Sequence, residues 1–576
     1  MDKNKKILIV ILLLASFLRF WKINEVPVSL FGDELDVGYQ AYSILKTGKD
    51  YSGNSWPMHF HSLAEWRTPL YLYSSVPTVA IFGISPLGVR LPAMIFGVLG
   101  VWAMYLAVKE ILSYGVEYQK NHPRALLAAF LLTISPWHIQ YSRAAFEVTM
   151  LLAFLLFGLY FFFKSLRKDS GKYLWIAIAF FVLTPWIYST AKLFMPLFML
   201  VLLVLFRKEI IRIPKKDLLK TCLVGLILGI PIAYSTIFGG GAQRFNYLSV
   251  FTDPTMEGDV GFARLNDAKM VQKYGGGIIE KAMARAVHNK YTFWGEKVID
   301  NMFAPFSSDF LFNKGDINLR HSVEGVGQLY KADAIGLLLG IGLFFFLHKN
   351  KRIIAVMALW ILLGVIPASI TRDGGTHATR LILILPPLIF LISYGLVVFY
   401  KVLAGRWKYI FALTVFVLMS INFTFYQHNY WVHNPWYSER WWHSGFKETF
   451  EAMREVQDKY DKIIISNANE PPLIFFLAWN QYPPEIYQKG LQDEYIAGFE
   501  TLKHTGKYYF GQVGKEGFYA LPRILDDKTL YIAVHREVGT NLIMEPNKVP
   551  AGLHLIKAIA YPSGEPAYYL FERSEK

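Results

Sequence analysis

Pro-Leu-Tyr-Leu-Tyr-Ser-Ser-Val-Pro-Thr-Val-Ala-Ile-Phe, residues 69–82, is an apolar run of 14 residues. Whether it crosses a membrane sets the side on which everything after it lies. A helix needs about 20 apolar residues to span a bilayer, within a range of about 17–25. The basic loops decide the question. If 69–82 spans, then Lys164, Arg167, Lys168 and Lys172 fall outside, together with Arg207, Lys208, Arg212, Lys215, Lys216 and Lys220. If it does not, both loops join Lys349–Arg352, Lys401–Lys408 and the basic N-terminus on the cytoplasmic face, as the positive-inside bias requires. The segment is therefore predicted as a juxtamembrane or re-entrant helix on the outer face.

Working outward, apolar stretches predict eleven spans, at 6–27, 86–108, 124–141, 147–164, 172–189, 190–206, 218–238, 333–348, 352–370, 379–400 and 407–426. No small-residue cleavage site precedes Phe20-Trp21-Lys22, so the first run is expected to remain an uncleaved span with a cytoplasmic N-terminus. Composition agrees, with 53% hydrophobic and only 18% charged residues and a mean hydropathy of +0.29. Globular chains carry about 45–50% apolar and about 25% charged residues. Disordered, collagen-like and disulfide-scaffold classes are excluded, the last because Cys222 is the one cysteine. The formal charge of +15 lies between apolar runs, which is a membrane protein's pattern and not a nucleic-acid-binding face.

The domain reading is a transmembrane unit, 1–426, with outer loops 28–85 and 239–332, followed by an extracytoplasmic tail, 427–576. In the tail Phe446–Tyr460 has the pattern of an amphipathic helix, and Lys462–Ser466 and Leu530–His535 of short buried strands. The fold class expected is an α-helical polytopic membrane protein with a small α/β C-terminal domain.

Several cations sit at outer membrane boundaries, against the orientation bias: Arg67, Arg90, Arg143, Lys192, Arg372 and Arg380, with His377 near the last. Each costs at least about 2.5–3.5 kcal/mol within the apolar layer, so each needs a partner or a purpose. Snorkelling and pairing, for example of Arg143 with Glu147 one turn on, are the structural readings. A shared purpose is binding a lipid-linked phosphate at the outer leaflet. The acidic counterpart is Asp33-Glu34, in Phe-Gly-Asp-Glu-Leu-Asp (31–36). Asp33 reads either as a cap for a helix over Val37–Leu45 or, beside Glu34 and facing a cationic cleft, as a general base. His59-x-His61 with Glu65 nearby reads as a solvated pair before it reads as a metal site. The chain has no His-Glu-x-x-His, no Gly-x-Ser-x-Gly and no phosphate loop.

Asp33-Glu34, Arg-Thr-Pro-Leu-Tyr (67–71) and Val-Arg-Leu-Pro (89–92) resemble the GT-C glycosyltransferases, specifically the protein O-mannosyltransferase family (glycosyltransferase family 39) and the lipid A aminoarabinose transferases. So do Ser-Pro-Trp-His…Ser-Arg…Glu (135–147), Tyr-Ser-Thr-Ala-Lys-Leu-Phe-Met-Pro (188–196), Phe-Leu-Phe-Asn-Lys-Gly-Asp-Ile-Asn-Leu-Arg-His (310–321) and Thr-His-Ala-Thr-Arg (376–380). Each motif is short, and the ordered set, over most of 1–426, carries the specificity. The resemblance implies a polyprenyl-phosphate sugar donor, an outward-facing site and inversion at the anomeric carbon. It maps the family's first-loop Asp onto Asp33 as catalytic base. The lipid A transferases carry Lys-Pro-Pro where this chain has Arg67-Thr68-Pro69, and the Arg-x-His-x-Pro of eukaryotic protein mannosyltransferases is absent.

The expectation is an enzyme of the cytoplasmic membrane that moves a sugar from this donor to a glycan, lipid or protein acceptor. Asp33 and Glu34 are its catalytic pair, and Arg67, Arg143, Glu147, Tyr188, Lys192, His377 and Arg380 bind substrate. No metal site is assigned and no cofactor is required, although Asp33 and Glu34 have the chemistry to hold a divalent ion. The rival readings are a lipid-linked-sugar flippase, an O-antigen polymerase or ligase, and a catalytically dead sugar receptor.

Overall fold

The computed structural model describes residues 2–62, 66–114, 121–168, 170–275 and 277–574, so that Glu65 lies outside the described residues. Helix α1 (Lys3–Phe20) leads to α2 (Gly32–Thr47). Two short antiparallel strands, β1 (Phe60–His61) and β2 (Trp66–Arg67), then feed α3 (Pro69–Phe82). This is the segment expected to lie on the outer face. It is a helix of 14 residues starting at Pro69, about 21 Å long at 1.5 Å per residue, and short of the roughly 30 Å hydrocarbon layer.

The helical body continues with α4 (Pro86–Ser113), α5 (His122–Ile134), α6 (Pro136–Ser142), α7 (Val148–Lys168), α8 (Gly171–Leu183), α9 (Ala191–Leu205) and α10 (Lys215–Phe238). The span expected over 124–141 is broken into α5 and α6. Pro136 has no N–H to continue the ladder and disfavours helical geometry at Ser135, whose hydroxyl instead accepts from the His138 N–H at 3.4 Å. Residues 239–332 carry α11 (Met256–Tyr274), α12 (Ile278–Val287) and α13 (Lys290–Phe303). The body closes with α14 (Asp333–Leu347), α15 (Lys351–Ser369), the one-turn α16 (Ala378–Leu381), α17 (Leu385–Val402) and α18 (Trp407–His428). Among the described residues six helices can cross a membrane by length and composition: Pro86–Ser113, Val148–Lys168, Lys215–Phe238, Lys351–Ser369, Ala378–Val402 and Trp407–Tyr437. Shorter apolar helices accompany them at 69–82, 122–134, 171–186, 191–205 and 333–347. The chain is a multi-pass membrane protein.

Between apolar helices in lipid there is little hydrophobic drive, so close backbone approach supplies the packing. Helices α14 and α17 meet through Gly336, Gly340 and Gly395. A Cβ on Gly340 would lie 2.1 Å from the Leu391 carbonyl oxygen, and one on Gly395 would lie 2.3 Å from the Gly340 nitrogen.

The tail holds α19 (Phe446–Val456) and a seven-stranded mixed sheet. Its strands are β3 (Lys462–Ile465), β4 (Gln492–Glu494), β5 (Leu502–Thr505), β6 (Tyr508–Phe510), β7 (Thr529–Val534), β8 (Leu553–Ala560) and β9 (Pro566–Arg573), in the order β4-β5-β6-β3-β7-β9-β8. Strand β3 runs parallel to both β6 and β7, and the other pairs are antiparallel. The expected helix and both expected strands are present. The tail is also fastened to α2. Tyr39 donates to the Tyr482 carbonyl at 2.8 Å, the Gln488 amide donates to the Asp50 carbonyl at 2.9 Å, and Phe31 packs edge-on against Trp442 at 5.4 Å.

Replacing Gly340 by Val should destabilise the protein by at least the 1–3 kcal/mol usual for overpacking, because backbone lies in the way and cannot rotate aside. The thermal midpoint of the detergent-solubilised chain measures this. An unchanged midpoint contradicts the close packing of α14 on α17.

Candidate active site

Helix α2 begins at Gly32 with Phe31 as N-cap, so Asp33 is a first-turn residue and not the cap. A carboxylate there is favoured by the helix dipole. Asp33 and Asp36, three apart, share one face of α2, and both reach Arg67. The Arg67 Nη2 lies 2.7 Å from Asp33 Oδ1, Nε lies 3.3 Å from Asp36 Oδ2, and Nη1 lies 3.6 Å from Glu147 Oε1. Asp36 is further fixed by the Tyr51 hydroxyl at 2.7 Å. Exposure separates the members: the Asp33 side chain is 61% exposed, while those of Asp36 and Arg67 are 4% and 5% exposed. The cluster therefore presents one carboxylate to solvent on a buried ionic base.

Three sequence expectations are corrected. Glu34 is sealed at 0% side-chain exposure in a bidentate pair with Arg90, 2.7 Å at both oxygens, and it accepts from the Ala145 N–H at 2.8 Å. No face is left from which it could act on a substrate or hold a metal with Asp33. Arg143 is likewise completely buried. Its guanidinium donates to the carbonyls of Leu18, Arg19 and Val26 and to the Tyr430 hydroxyl, at 2.7–3.1 Å, so it secures the end of α1 and neither pairs with Glu147 nor reaches a ligand. Arg67, expected to bind substrate, directs its donors at three carboxylates of the protein itself.

Other predicted residues do converge. Tyr188, Lys192 and Arg380 line one cavity of about 400 Å³, together with Thr236, Gly241 and Thr371. Arg380 is held by Thr371 at 2.7 Å. A second, more apolar cavity of about 320 Å³ between α8, α9 and α10 shares Lys192 and Thr236 with the first, and its walls include Phe181, Met195, Met199 and Ile232. Lys192 thus stands at the joint of a cationic pocket and a greasy groove. The Thr68 hydroxyl donates to the Ile187 carbonyl at 2.7 Å, tying the residue after Arg67 to the residue before Tyr188. His377 does not line this cavity. It is the residue before α16, at the N-cap, with its ring 4.8 Å from that of His321.

Two further residues belong here, and the first corrects an expectation: His59, expected in a solvated pair, is buried. His59 accepts from Lys192 Nζ at Nε2, 2.9 Å away, so its proton sits on Nδ1 and is donated to Ser235 Oγ at 2.6 Å. Burial first, and then the Lys192 charge, push the His59 ring down to about 4, which keeps it a neutral acceptor. His443, from the tail, adopts φ +50° and accepts the Gly32 N–H at 3.3 Å, beside Asp33. It too is pushed down to about 4, by burial and by Arg320, with Asp33 opposing. A left-handed histidine is uncommon and marks a position imposed by its surroundings. Neither contact leaves a local sequence signal, since each joins segments far apart in the chain.

With the geometry in hand, the comparisons fall into place. Residues 67–234 match the family model described as dolichyl-phosphate-mannose-protein mannosyltransferase. The segment that carries Arg67, Arg143, Glu147, Tyr188 and Lys192 is therefore similar to mannosyltransferase domains, the likeness that the sequence motifs also carry. A putative mannosyltransferase, YkcB, of Bacillus subtilis is 26% identical over 189 residues, covering 32% of this chain and 24% of the relative. The dolichyl-phosphooligosaccharide-protein glycotransferase 2 of Pyrococcus horikoshii is 29% identical over 158 residues, covering 25% and 18% respectively. The alignments thus span only about a quarter or less of these relatives. Among solved structures, ArnT from Cupriavidus metallidurans bound to undecaprenyl phosphate is similar at a TM-score of 0.47 and 10% identity, over 98% of this chain and 97% of that one.

Removing one partner of a buried ion pair costs about 3–5 kcal/mol. Glu34→Gln should therefore lower the thermal midpoint substantially, whereas Asp33→Asn should not; equal shifts would contradict the sealed pair. The histidines predict a pH response. His59 and His443 ionise near 4 in the fold and near 6.5 when unfolded, so the stability they contribute is whole above about pH 6.5 and is lost as pH falls towards about 4. The midpoint of a His59→Gln/His443→Gln variant should fall less steeply over that window than the wild-type midpoint.

Proposed function

We propose that this protein is an integral-membrane glycosyltransferase that moves a sugar from a polyprenyl-phosphate donor to an acceptor at the outer face of the cytoplasmic membrane, with inversion. The observation that supports this most is the junction at Lys192, where a cavity carrying two cations adjoins an apolar groove between helices, and Thr68, next to the Asp33 partner Arg67, bonds to Ile187 beside that cavity. A lipid-linked phosphate has that chemistry: an anionic head on a long hydrocarbon tail. In this reading the N-terminus is cytoplasmic, eleven segments span, and the 427–576 domain is extracytoplasmic. The tail packed over α2 and the start of loop 239–332, which supplies Gly241 and Phe245 to the cavity wall, lie on the acceptor side.

The acceptor hydroxyl or amine attacks the anomeric carbon and gives its proton to the Asp33 carboxylate. The bond between that carbon and the phosphate oxygen breaks, and polyprenyl phosphate leaves. Lys192 and Arg380 meet the charge that develops on the departing phosphate, stabilising the transition state more than the ground state. Arg380 offers a fork to the phosphate and Lys192 a point charge, positioned by His59. Arg67, Asp36 and Glu147 orient Asp33, and Glu34 with Arg90 anchors its helix. The displacement requires no metal at Asp33.

The test is a transfer assay with purified protein, radiolabelled polyprenyl-phosphate sugars and membrane acceptors. Asp33→Asn should lower transfer by about 10²–10⁴-fold, the usual worth of a general base, with polyprenyl-phosphate binding kept. Lys192→Ala and Arg380→Ala should weaken binding as well as turnover. Near-normal transfer by Asp33→Asn at saturating donor contradicts the mechanism, and movement of label across the bilayer without transfer would favour a flippase.

A further inference from the structure

Two of the motifs singled out in the sequence, 310–321 and 376–380, are only partly used by this chemistry, yet the fold brings them together. Asp316 and His321 are buried and His377 is half-buried, and one ligand atom from each lies within 4.8 Å of the others. No other group of three or more His, Cys, Asp or Glu side chains meets this spacing among the described residues. Asp316 Oδ2 lies 2.9 Å from His321 Nδ1 and accepts from the Ala378 N–H, also at 2.9 Å. The His321 and His377 rings are tilted by 35° with centroids 4.8 Å apart. Aromatic walls close the pocket, Tyr141 stacking on His321 at 6.0 Å and Phe146 meeting it edge-on at 5.5 Å. The neighbouring cation, Arg320, lies against the Phe31 ring at 4.9 Å.

We propose that Asp316, His321 and His377 bind one divalent transition-metal ion of the zinc type. The donor set is the argument. Two imidazole nitrogens and one carboxylate oxygen suit zinc and its neighbours, whereas magnesium and calcium favour all-oxygen shells. The separation of Asp316 Oδ2 and His321 Nδ1 fits as well. Ligands about 2.0–2.1 Å from a tetrahedral ion lie roughly 3.3 Å apart, so an ion takes the place of the proton these two atoms share with little movement. The Ala378 N–H then remains as the outer partner that orients the carboxylate, the kind of support metal ligands receive. Three protein ligands leave a fourth position open.

The ion pins loop 310–321 to the start of α16, and Arg380 follows His377 by three residues. It is a positioning element for that cation and takes no part in the displacement. The site stands independently of the transfer reaction and is read without it. Full-length protein in detergent, stripped with a chelator, is titrated with Co²⁺. The expected result is one ion per chain, with the visible absorption of a low-coordinate nitrogen–oxygen site that Zn²⁺ displaces. His321→Ala and His377→Ala should abolish it, whereas His554→Ala, at an exposed tail histidine, should not. X-ray absorption on the zinc-loaded wild type needs no variant and should show imidazole nitrogens at about 2.0–2.1 Å. Wild-type uptake well below one ion per chain, undiminished binding in both histidine variants, or a shell without imidazole overturns the proposal.

Discussion

One buried guanidinium organises the surroundings of the first loop of this protein. Arg67 binds Asp33, Asp36 and Glu147 at 2.7–3.6 Å, and these come from α2 and from the residue before α7. An unpaired charge there would carry a heavy desolvation cost, so the pairs hold β2, α2 and the entry to α7 in one arrangement. The consequence for function follows from counting donors. A guanidinium committed to three carboxylates has little left for a phosphate, and the proposed mechanism therefore assigns that role to Lys192 and Arg380, across the Thr68–Ile187 link. Asp33, the exposed member, has its position set by this contact.

The helix that bears Asp33 is clamped from both sides. Below it, Glu34 and Arg90 form a sealed pair, and Arg90 also donates to the carbonyls of Ile23, Pro27 and Ser29. Above it, the tail contributes His443, Tyr482 and Gln488. A general base gains most when it cannot wander, since misplacement by an ångström costs rate. In the proposed mechanism the tail's place on α2 helps to hold Asp33 in position.

Periodicity and length made the helical body legible, because an apolar run must satisfy its own backbone in lipid and only a helix does so. The shortness of 69–82 as a helix was legible from its apolar run, and β3 and β7 showed as short buried runs. The ion pairing was not legible. Arg67, Arg90 and Arg143 look alike in sequence, each a lone cation at a boundary, and their partners lie 34, 56 and over 100 residues away. Spacing suggested Arg143 with Glu147, but the turn at Arg143 directs the two side chains to different elements. His59 and the Asp316–His321–His377 group escaped for the same reason, since local sequence carries no trace of contacts made by folding. The Ser135-Pro136 break was a local signal that the 18-residue reading of 124–141 overrode.

The most direct test of this account is Arg67→Lys, measured for polyprenyl-phosphate affinity and for single-turnover sugar transfer. Lysine keeps the charge but cannot fork to three carboxylates. The account predicts affinity close to wild type and a large loss of transfer, because the base is misplaced while the phosphate site is intact. A large loss of affinity, with normal transfer once donor is saturating, would make Arg67 the phosphate ligand and contradict it.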